Sequence, residues 1–265
     1  MKIPKKLIAV IAICIAVTLI VTLSFGCKKE EKAGGEFRAY IQEPVALDPP
    51  NSYESEGIQV SRQIYDGLVE YDPITGEIFP AMADSWEISD DGFVYTFKLK
   101  KGVKFHSGRE CVAEDFVYAW SRVCRAETAS YLAYHADPIL GYDELQAGEG
   151  DILEGVKALD DYTLEVTLKY PYADFINTLG HVVFYPVAKE DIEEWGDDYS
   201  EHANGTGAFK LVEWKHDQYI TLERFDDYYG DNAKLETVKY VILADENTAF
   251  LEYKAGNLDY VEIPQ

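Results

Sequence analysis

The sequence contains none of the common motifs that carry out catalysis. The nucleophile elbow G-x-S-x-G, the zinc-binding helix H-E-x-x-H and the phosphate loop G-x-x-x-x-G-K-[ST] are all absent. Cys111 and Cys124 are separated by most of a predicted helix, which rises about 1.5 Å per residue and places them beyond disulfide reach. The histidines lack the spacing of metal ligands, and they stand at His106, His135, His181, His202 and His216. The sequence therefore predicts buried free thiols, no metal site, no cofactor and no enzyme.

A glycine-flanked bend is the first candidate for binding chemistry. Gly205 and Gly207 flank Thr206 in the run NGTGAFKL. Because glycine has no Cβ, its backbone can approach another chain closely. Thr206 and Gly207 are therefore candidate ligand-binding residues, and the alternative is a tight turn that requires positive φ.

Periodic apolar residues predict the elements that must position such groups. Residues 93–99 have period 2 and predict a half-buried strand, and the turn-forming run SDDG at 89–92 predicts that 86–88 pairs back as a hairpin. After Cys111 the spacing becomes helical, with apolar residues at Phe116, Val117, Trp120, Val123 and Cys124.

Strands and helices alternate along the rest of the chain. The patterns predict strands at 37–41, 103–105, 219–223 and 238–243, a hairpin over 156–168, helices at 57–67, 173–179, 189–198 and 247–255, a broken helical segment over 127–153, and an extended run at 181–187. This alternation is typical of an α/β fold.

Several runs of residues, in this order, resemble one known family. SWEISDDG, YTFKL, KGVKFHSG and AEDFVYAWSRV, followed by VKALDDYTLEVTL and NGTGAFKL, closely resemble extracytoplasmic solute-binding proteins of the oligopeptide and dipeptide class (family 5), which feed ABC importers. One difference stands at Val112, where the family has a threonine able to cap the helix. Since valine cannot accept the free amide bonds of the helix start, we expect a loss of about 1 kcal/mol of capping.

The resemblance implies a fold and a division of the chain. It implies an α/β fold of the periplasmic-binding-protein type II, with mixed sheets, flanking helices and a missing second major lobe. Residues 36–50 and 170–265 would form the first, incomplete major lobe, and residues 51–169 an inserted smaller lobe.

The resemblance also implies further ligand-binding residues. Glu43, Pro44 and Val45 match the segment that forms one wall of the family's cleft, where an extended peptide adds its backbone as a strand. The alternative is a plain surface loop. Tyr131 and Tyr134 match a segment near the cleft mouth, and the alternative is that either packs inside the lobe.

The composition limits the classes of partner. With 265 residues, 47% of them hydrophobic, the chain can bury a sizeable core. Its formal net charge of -24 argues against nucleic-acid binding, because lysine and arginine supply the contacts to phosphates.

The first 35 residues carry the pattern of an exported, membrane-tethered protein. Residues 1–6 are basic and residues 7–25 are apolar, so 1–26 read as a signal peptide, with an uncleaved membrane anchor as the alternative. Cys27 follows LSFG, which resembles a bacterial lipoprotein processing site, so lipidation at Cys27 is expected. Residues 27–35 would then be a tether to the cell membrane, and the rest of the chain would lie outside the cytoplasm.

The expected function is that of a monomeric peptide-binding subunit delivering peptides to ABC permease subunits. Relatives in the resembling family continue for a comparable distance beyond Gln265, so we expect a fragment, or one half of a split protein, that binds peptide weakly if at all. Two alternatives remain open, namely a binder of nickel complexes, haem or sugars within the same fold, and an envelope scaffold or sensor without solute capture.

Overall fold

The computed structural model describes residues 34–72 and 74–264. Its strands are β1 (Glu36–Ile41), β2 (Val69–Tyr71), β3 (Ile78–Pro80), β4 (Ala83–Ile88), β5 (Val94–Leu99), β6 (Val156–Asp160), β7 (Thr163–Thr167), β8 (Phe209–Lys215), β9 (Tyr219–Arg224) and β10 (Thr237–Ile242). Its helices are α1 (Ser55–Ile64), α2 (Ala113–Cys124), α3 (Tyr142–Gln146), α4 (Phe175–Thr178), α5 (Lys189–Trp195) and α6 (Glu246–Ala255). The predicted signal peptide and Cys27 lie outside the described residues.

Two four-stranded sheets dominate the fold. One sheet has the order β1-β10-β9-β8, in which β1 and β10 are parallel and the other pairs are antiparallel. The other sheet is wholly antiparallel, with the order β4-β5-β7-β6. A short antiparallel pair, β2-β3, lies in the chain between β1 of the first sheet and β4 of the second. The predicted mixed α/β architecture is confirmed.

The block around β5 and α2 folds as its periodicity predicts. β4 and β5 form the expected hairpin, and Phe97 on β5 is fully buried. α2 packs on β6 and β7 and buries Trp120, whose indole N–H donates to the carbonyl oxygen of Phe184 at 2.8 Å. The alternation of β5 and the helical stripe of α2 thus meet in one core.

The start of α2 shows how the chain manages without a capping threonine. Val112 makes no side-chain cap, as predicted, but its backbone N–H donates to Oδ2 of Asp115 at 2.8 Å. Arg109 also pairs with the Asp115 carboxylate at 2.7 Å. Asp115, in the first turn of α2, therefore accepts a hydrogen bond from the backbone N–H of the N-cap residue, Val112. This is the half of a capping box that does not need a threonine at the N-cap.

Some predicted elements differ at their ends or in type. The segment predicted as broken helix over 127–153 contains the end of the 3₁₀ turn Ala126–Thr128, the 3₁₀ turn Ala133–Ala136 and only the short α3. Gly148 and Gly150, where a break was predicted, adopt positive φ, and so does Gly141 at the start of α3, where no break was predicted. The helix predicted at 57–67 is α1, displaced toward the N-terminus. The predicted strand at 103–105 is reduced to an isolated bridge between Lys104 and Glu110.

The apolar run before α5 is also different from its prediction. Residues 181–187 contain a 3₁₀ turn at Val182–Phe184 instead of a continuous extended run. The helix predicted over 189–198 ends at Trp195, and a 3₁₀ segment, Gly196–His202, follows it, with Gly196 at φ 52°. The lobe boundaries predicted at 50/51 and 169/170 stay predictions. In residues 34–72 and 74–264, no helix combines the length and apolar character needed to cross a bilayer.

Candidate ligand-binding surface

Glu43 is held by the turn between β8 and β9. Its Oε1 accepts from the indole N–H of Trp214 at 3.0 Å and faces Nδ1 of His216 at 2.7 Å, while its Oε2 accepts from the backbone N–H of Asp217 at 2.9 Å. The other imidazole nitrogen of His216 faces a carboxylate oxygen of Glu201 at 2.8 Å. The Glu43 carboxylate therefore fixes the path of the chain that follows it.

The protonation of His216 follows from these contacts. Both ring nitrogens face carboxylate oxygens, so the contacts favour the protonated ring, which donates from both nitrogens. The hydrogen bond with Glu43, followed by that with Glu201, raises the pKa of His216 against the opposing effect of burial.

Val45 extends from this anchored segment toward solvent. Pro44 is buried, whereas the Val45 side chain is 58% exposed. The backbone N–H of Val45 donates to Oε1 of Glu54 at 2.7 Å, and the same oxygen accepts from the N–H of Gly57 at 2.9 Å. Glu54 therefore caps α1 and ties the Val45 segment to the start of that helix.

Tyr131 lies beside the same loop. Its ring packs edge-to-face on Tyr53 with centroids 5.2 Å apart, and Ser130 donates its hydroxyl to the carbonyl oxygen of Pro50. Tyr131 is 77% exposed. Because Tyr53 directly precedes Glu54, these contacts link Val45 to Tyr131 although the two residues are far apart in the sequence.

We call the exposed residues Val45, Tyr53, Tyr131 and Tyr134 the aromatic surface. Tyr134 is 62% exposed and stacks on His135. The alternative that Tyr131 or Tyr134 packs inside the lobe is therefore wrong. Sequence reasoning missed Tyr53, since only its tertiary contact with Tyr131 places it here.

Thr206 and Gly207 pack against the C-terminal end of α1 and are not part of the aromatic surface. Thr206 has no exposed area, and its Oγ1 accepts from the backbone N–H of Asp66 at 3.2 Å. The N–H of Gly207 donates to the carbonyl oxygen of Ile64 at 2.8 Å. Neither Gly205 nor Gly207 has positive φ, so the alternative of a positive-φ turn is wrong. The ligand-binding role of Thr206 and Gly207 stays a prediction.

The glycines of this bend are required by the close approach of α1. A Cβ on Gly207 would lie 2.7 Å from the carbonyl oxygen of Gln63, and one on Gly205 would overlap the carbonyl oxygen of Ile64. The close approach that the glycines predicted is therefore present, and its partner is the last turn of α1.

A cavity of about 200 Å³ opens along the first turns of α1. The end of β1 forms one wall, and the segment from Tyr260 to Glu262 forms another, with Tyr260 bridged in parallel to Ala39. Three carboxylates line the cavity, those of Glu56, Glu246 and Glu262. Carboxylates accept hydrogen bonds, so this cavity suits N–H donors such as amides or amines.

Burial shifts the pKa of several titratable groups elsewhere in the described residues. Cys111 and Cys124 are free and buried, as predicted, and burial raises the pKa of both thiols, that of Cys124 to about 12. Burial also raises the pKa of Asp66 to about 6, against hydrogen bonds from Tyr228 and Tyr229. Among residues 34–72 and 74–264 no group of three or more His, Cys, Asp or Glu side chains is arranged to hold a metal ion.

Comparison with known proteins identifies relatives of this chain. The Bacillus subtilis dipeptide-binding protein DppE is 33% identical over 93% of this chain and 49% of its own length. The Escherichia coli periplasmic oligopeptide-binding protein OppA is 38% identical over 82% of this chain and 41% of its own length. The chain thus spans less than half the length of these relatives.

Solved structures agree with the sequence matches. The unliganded open form of the murein tripeptide-binding protein MppA superposes with a TM-score of 0.78 at 31% identity, covering 86% of this chain and 45% of that chain. Listeria monocytogenes OppA bound to peptide gives the same TM-score at 28% identity, covering 87% of this chain and 46% of that chain. The predicted fold of the periplasmic-binding-protein type II is confirmed for the matched part.

The family itself is shown by a match over most of the chain. The sequence model described as "Bacterial extracellular solute-binding proteins, family 5 Middle" matches residues 77–265. The resemblance read from the signature runs is thereby confirmed, and the chain belongs to the bacterial extracellular solute-binding proteins of family 5.

Proposed function

We propose that this chain is the peptide-contacting part of a non-enzymatic solute-binding subunit that hands peptides to the permease of an ABC importer. Its relatives include proteins named for dipeptide and oligopeptide binding, and one similar structure holds a peptide. The membership of family 5 supports a binding function over a catalytic one.

The aromatic surface is the observation that carries this proposal. Val45, Glu54, Tyr53 and Tyr131 are linked in a continuous series of contacts, and the series ends in exposed apolar side chains. Tyrosine rings supply contact area at low entropic cost and accept many partners, which suits a ligand whose side chains vary. Anchoring of the chain before Val45 by Glu43 keeps this surface in place before the ligand arrives.

The adjoining cavity supplies polar contacts that such a ligand needs. A peptide presents N–H donors along its backbone and an ammonium group at its end, and the wall formed by Glu56, Glu246 and Glu262 accepts hydrogen bonds. The aromatic surface and the cavity both adjoin the start of α1, through Glu54 and Ser55. Together they combine apolar area with hydrogen-bond acceptors.

Calorimetric titration tests the binding function. The full chain is titrated with tri-, tetra- and pentapeptides, and then compared with Tyr131→Ala. Loss of the exposed ring should weaken binding about tenfold, the order expected for removing an aromatic anchor. Leu159→Ala, which trims an exposed apolar residue of β6, is the control and should leave the affinity unchanged. No heat from any peptide, or equal effects of both variants, would overturn the proposal.

We propose further that Cys27 carries a lipid that tethers the protein, as a monomer, to the outer face of the cytoplasmic membrane. The run LSFG before Cys27 and the extracellular family support this assignment. Growth of a bacterial host with an alkyne fatty acid should label the chain, and Cys27→Ser should abolish the label. Label that persists in the variant contradicts the proposal.

A further inference from the structure

Three rings form a column at one end of the aromatic surface. Tyr134 stacks on His135 with centroids 4.3 Å apart and planes at 28°, and His135 stacks on His181 with centroids 4.4 Å apart and planes at 23°. The column joins the 3₁₀ turn Ala133–Ala136 to the residue that precedes the 3₁₀ turn Val182–Phe184. The planes of neighbouring rings are nearly parallel, so the three rings stack in the order His181, His135, Tyr134. Tyr134 is the outer end of the column.

The inner end of the column is fixed in orientation. The backbone N–H of Val183 donates to Nδ1 of His181 at 3.2 Å, so this nitrogen carries a lone pair and the proton of the neutral ring lies on Nε2. Burial, followed by the influence of His135 and Arg62, lowers the pKa of His181 to about 4, and burial lowers the pKa of His135. Both imidazoles are therefore neutral near pH 7, and no charge repulsion separates them.

The outer end of the column is open. One face of the Tyr134 ring is covered by His135, and because 62% of the residue is exposed, the opposite face meets solvent. Tyr131 lies three residues before Tyr134 in the sequence and is also exposed. The open face therefore lies three residues along the chain from Tyr131, one of the residues on which the peptide is proposed to lie.

We propose that the open face of Tyr134 is a subsite that stacks an aromatic side chain of the bound peptide as a fourth ring of this column. The inference rests on the proposed function and names its preferred substrates, which are peptides with Phe, Tyr or Trp at one position. A neutral, pre-oriented ring favours another ring over an aliphatic side chain of similar size, because offset stacking adds to the burial of apolar area.

Matched peptides test the preference. The full chain is titrated with pentapeptides that carry either Phe or Leu at each position in turn. One position should favour Phe by about fivefold or more, the order that one aromatic pair contributes. Tyr134→Ala should reduce the ratio at that position to about one, and Tyr134→Phe should keep it. Tyr170→Ala, which removes an exposed tyrosine that makes no contact with the column, should also keep it.

A spectroscopic measurement makes the result independent of folding in the variants. In the unmodified chain, ring protons of the bound phenylalanine should shift upfield in NMR spectra, since they lie over the Tyr134 face. Equal affinity for Phe and Leu peptides, a preference that persists in Tyr134→Ala, or unshifted ring protons would overturn the subsite while leaving peptide binding intact. Absence of binding by every peptide would instead overturn the proposed function, and the subsite with it.

Discussion

His106 and Gly207 are joined by a hydrogen bond in which Nε2 of the imidazole donates to the carbonyl oxygen of the glycine at 3.0 Å. The backbone N–H of Gly205 donates to Nδ1 of the same ring at 3.3 Å, and the N–H of His106 donates to the carbonyl oxygen of Gly205 at 2.8 Å. One neutral imidazole thus satisfies both sides of the bend that carries Thr206. This bend in turn supports the last turn of α1.

The first prediction concerns acid stability. Burial lowers the pKa of His106 to about 4 in the folded chain, whereas an unfolded histidine titrates near 6.5. As the pH falls from about 6.5 to 4, the unfolded state therefore binds the proton first and the folded state loses stability. We expect His106→Gln, which can still accept and donate, to remove a pH-dependent loss on the order of 2 kcal/mol.

Urea unfolding at a series of pH values between 7 and 4 measures this effect. The difference between the original chain and His106→Gln should grow in favour of the variant as the pH falls. Parallel curves for the two proteins would show that folding does not change the pKa of His106, and would contradict the prediction.

The second prediction concerns the space beside α1. A Cβ on Gly205 would overlap the backbone carbonyl of Ile64, which cannot move without displacing the helix end. We expect Gly205→Ala to cost about 3 kcal/mol of unfolding free energy. Gly148→Ala is the matched control, because its positive φ is strained but its surroundings are open, and it should cost only about 1 kcal/mol. Similar losses in thermal unfolding of both variants would refute the packing argument.

The third prediction concerns the ion pair of Asp48 and Arg122. The guanidinium contacts both carboxylate oxygens at 2.7 Å, and the two side chains are only 6% and 13% exposed. Arg122→Met leaves the Asp48 carboxylate buried with Asn51 as its remaining side-chain donor, at a cost of about 3–5 kcal/mol. The double variant Asp48→Asn with Arg122→Met should recover at least half of this loss. Urea denaturation measures both, and a single-variant cost below about 1 kcal/mol would count against the pair.

The fourth prediction concerns His216, which bridges Glu43 and Glu201. Since its pKa is raised in the folded chain, the stabilisation from the imidazolium is fully present below about pH 6.5 and is lost as the pH rises through the folded pKa. His216→Asn should lower stability at pH 6 and matter little at pH 9. Denaturation at both values tests this sign, and a larger effect at pH 9 would contradict it. The neighbours of His216 in the sequence, Lys215 and Asp217, are also charged, and both stay unchanged in the variant.

The sequence predicted the elements well where periodicity and turn chemistry agree. The period-2 run of β5 and the turn SDDG gave the β4-β5 hairpin, and the helical stripe through Trp120 gave α2. The ends of elements were harder, since the break at Gly141 depends on a positive φ that many glycines do not adopt.

The candidate surface was predicted only in part. Val45, Tyr131 and Tyr134 are exposed as a ligand would require, yet nothing in the sequence shows that Tyr53 lies against Tyr131. Thr206 illustrates the opposite difficulty, because flanking glycines predict a close approach without identifying the partner. That partner is α1, and only tertiary packing could reveal it.

The anchoring of Glu43 by Trp214, His216 and Asp217 has a consequence for how selectivity can change during evolution. The β8-β9 turn holds Glu43, two residues before Val45, so substitutions there would shift the aromatic surface without altering any of its exposed side chains. Homologues that differ in this turn should therefore diverge in their preferred peptides even where their exposed tyrosines are identical. A mutational scan restricted to the solvent-facing residues would overlook this source of variation.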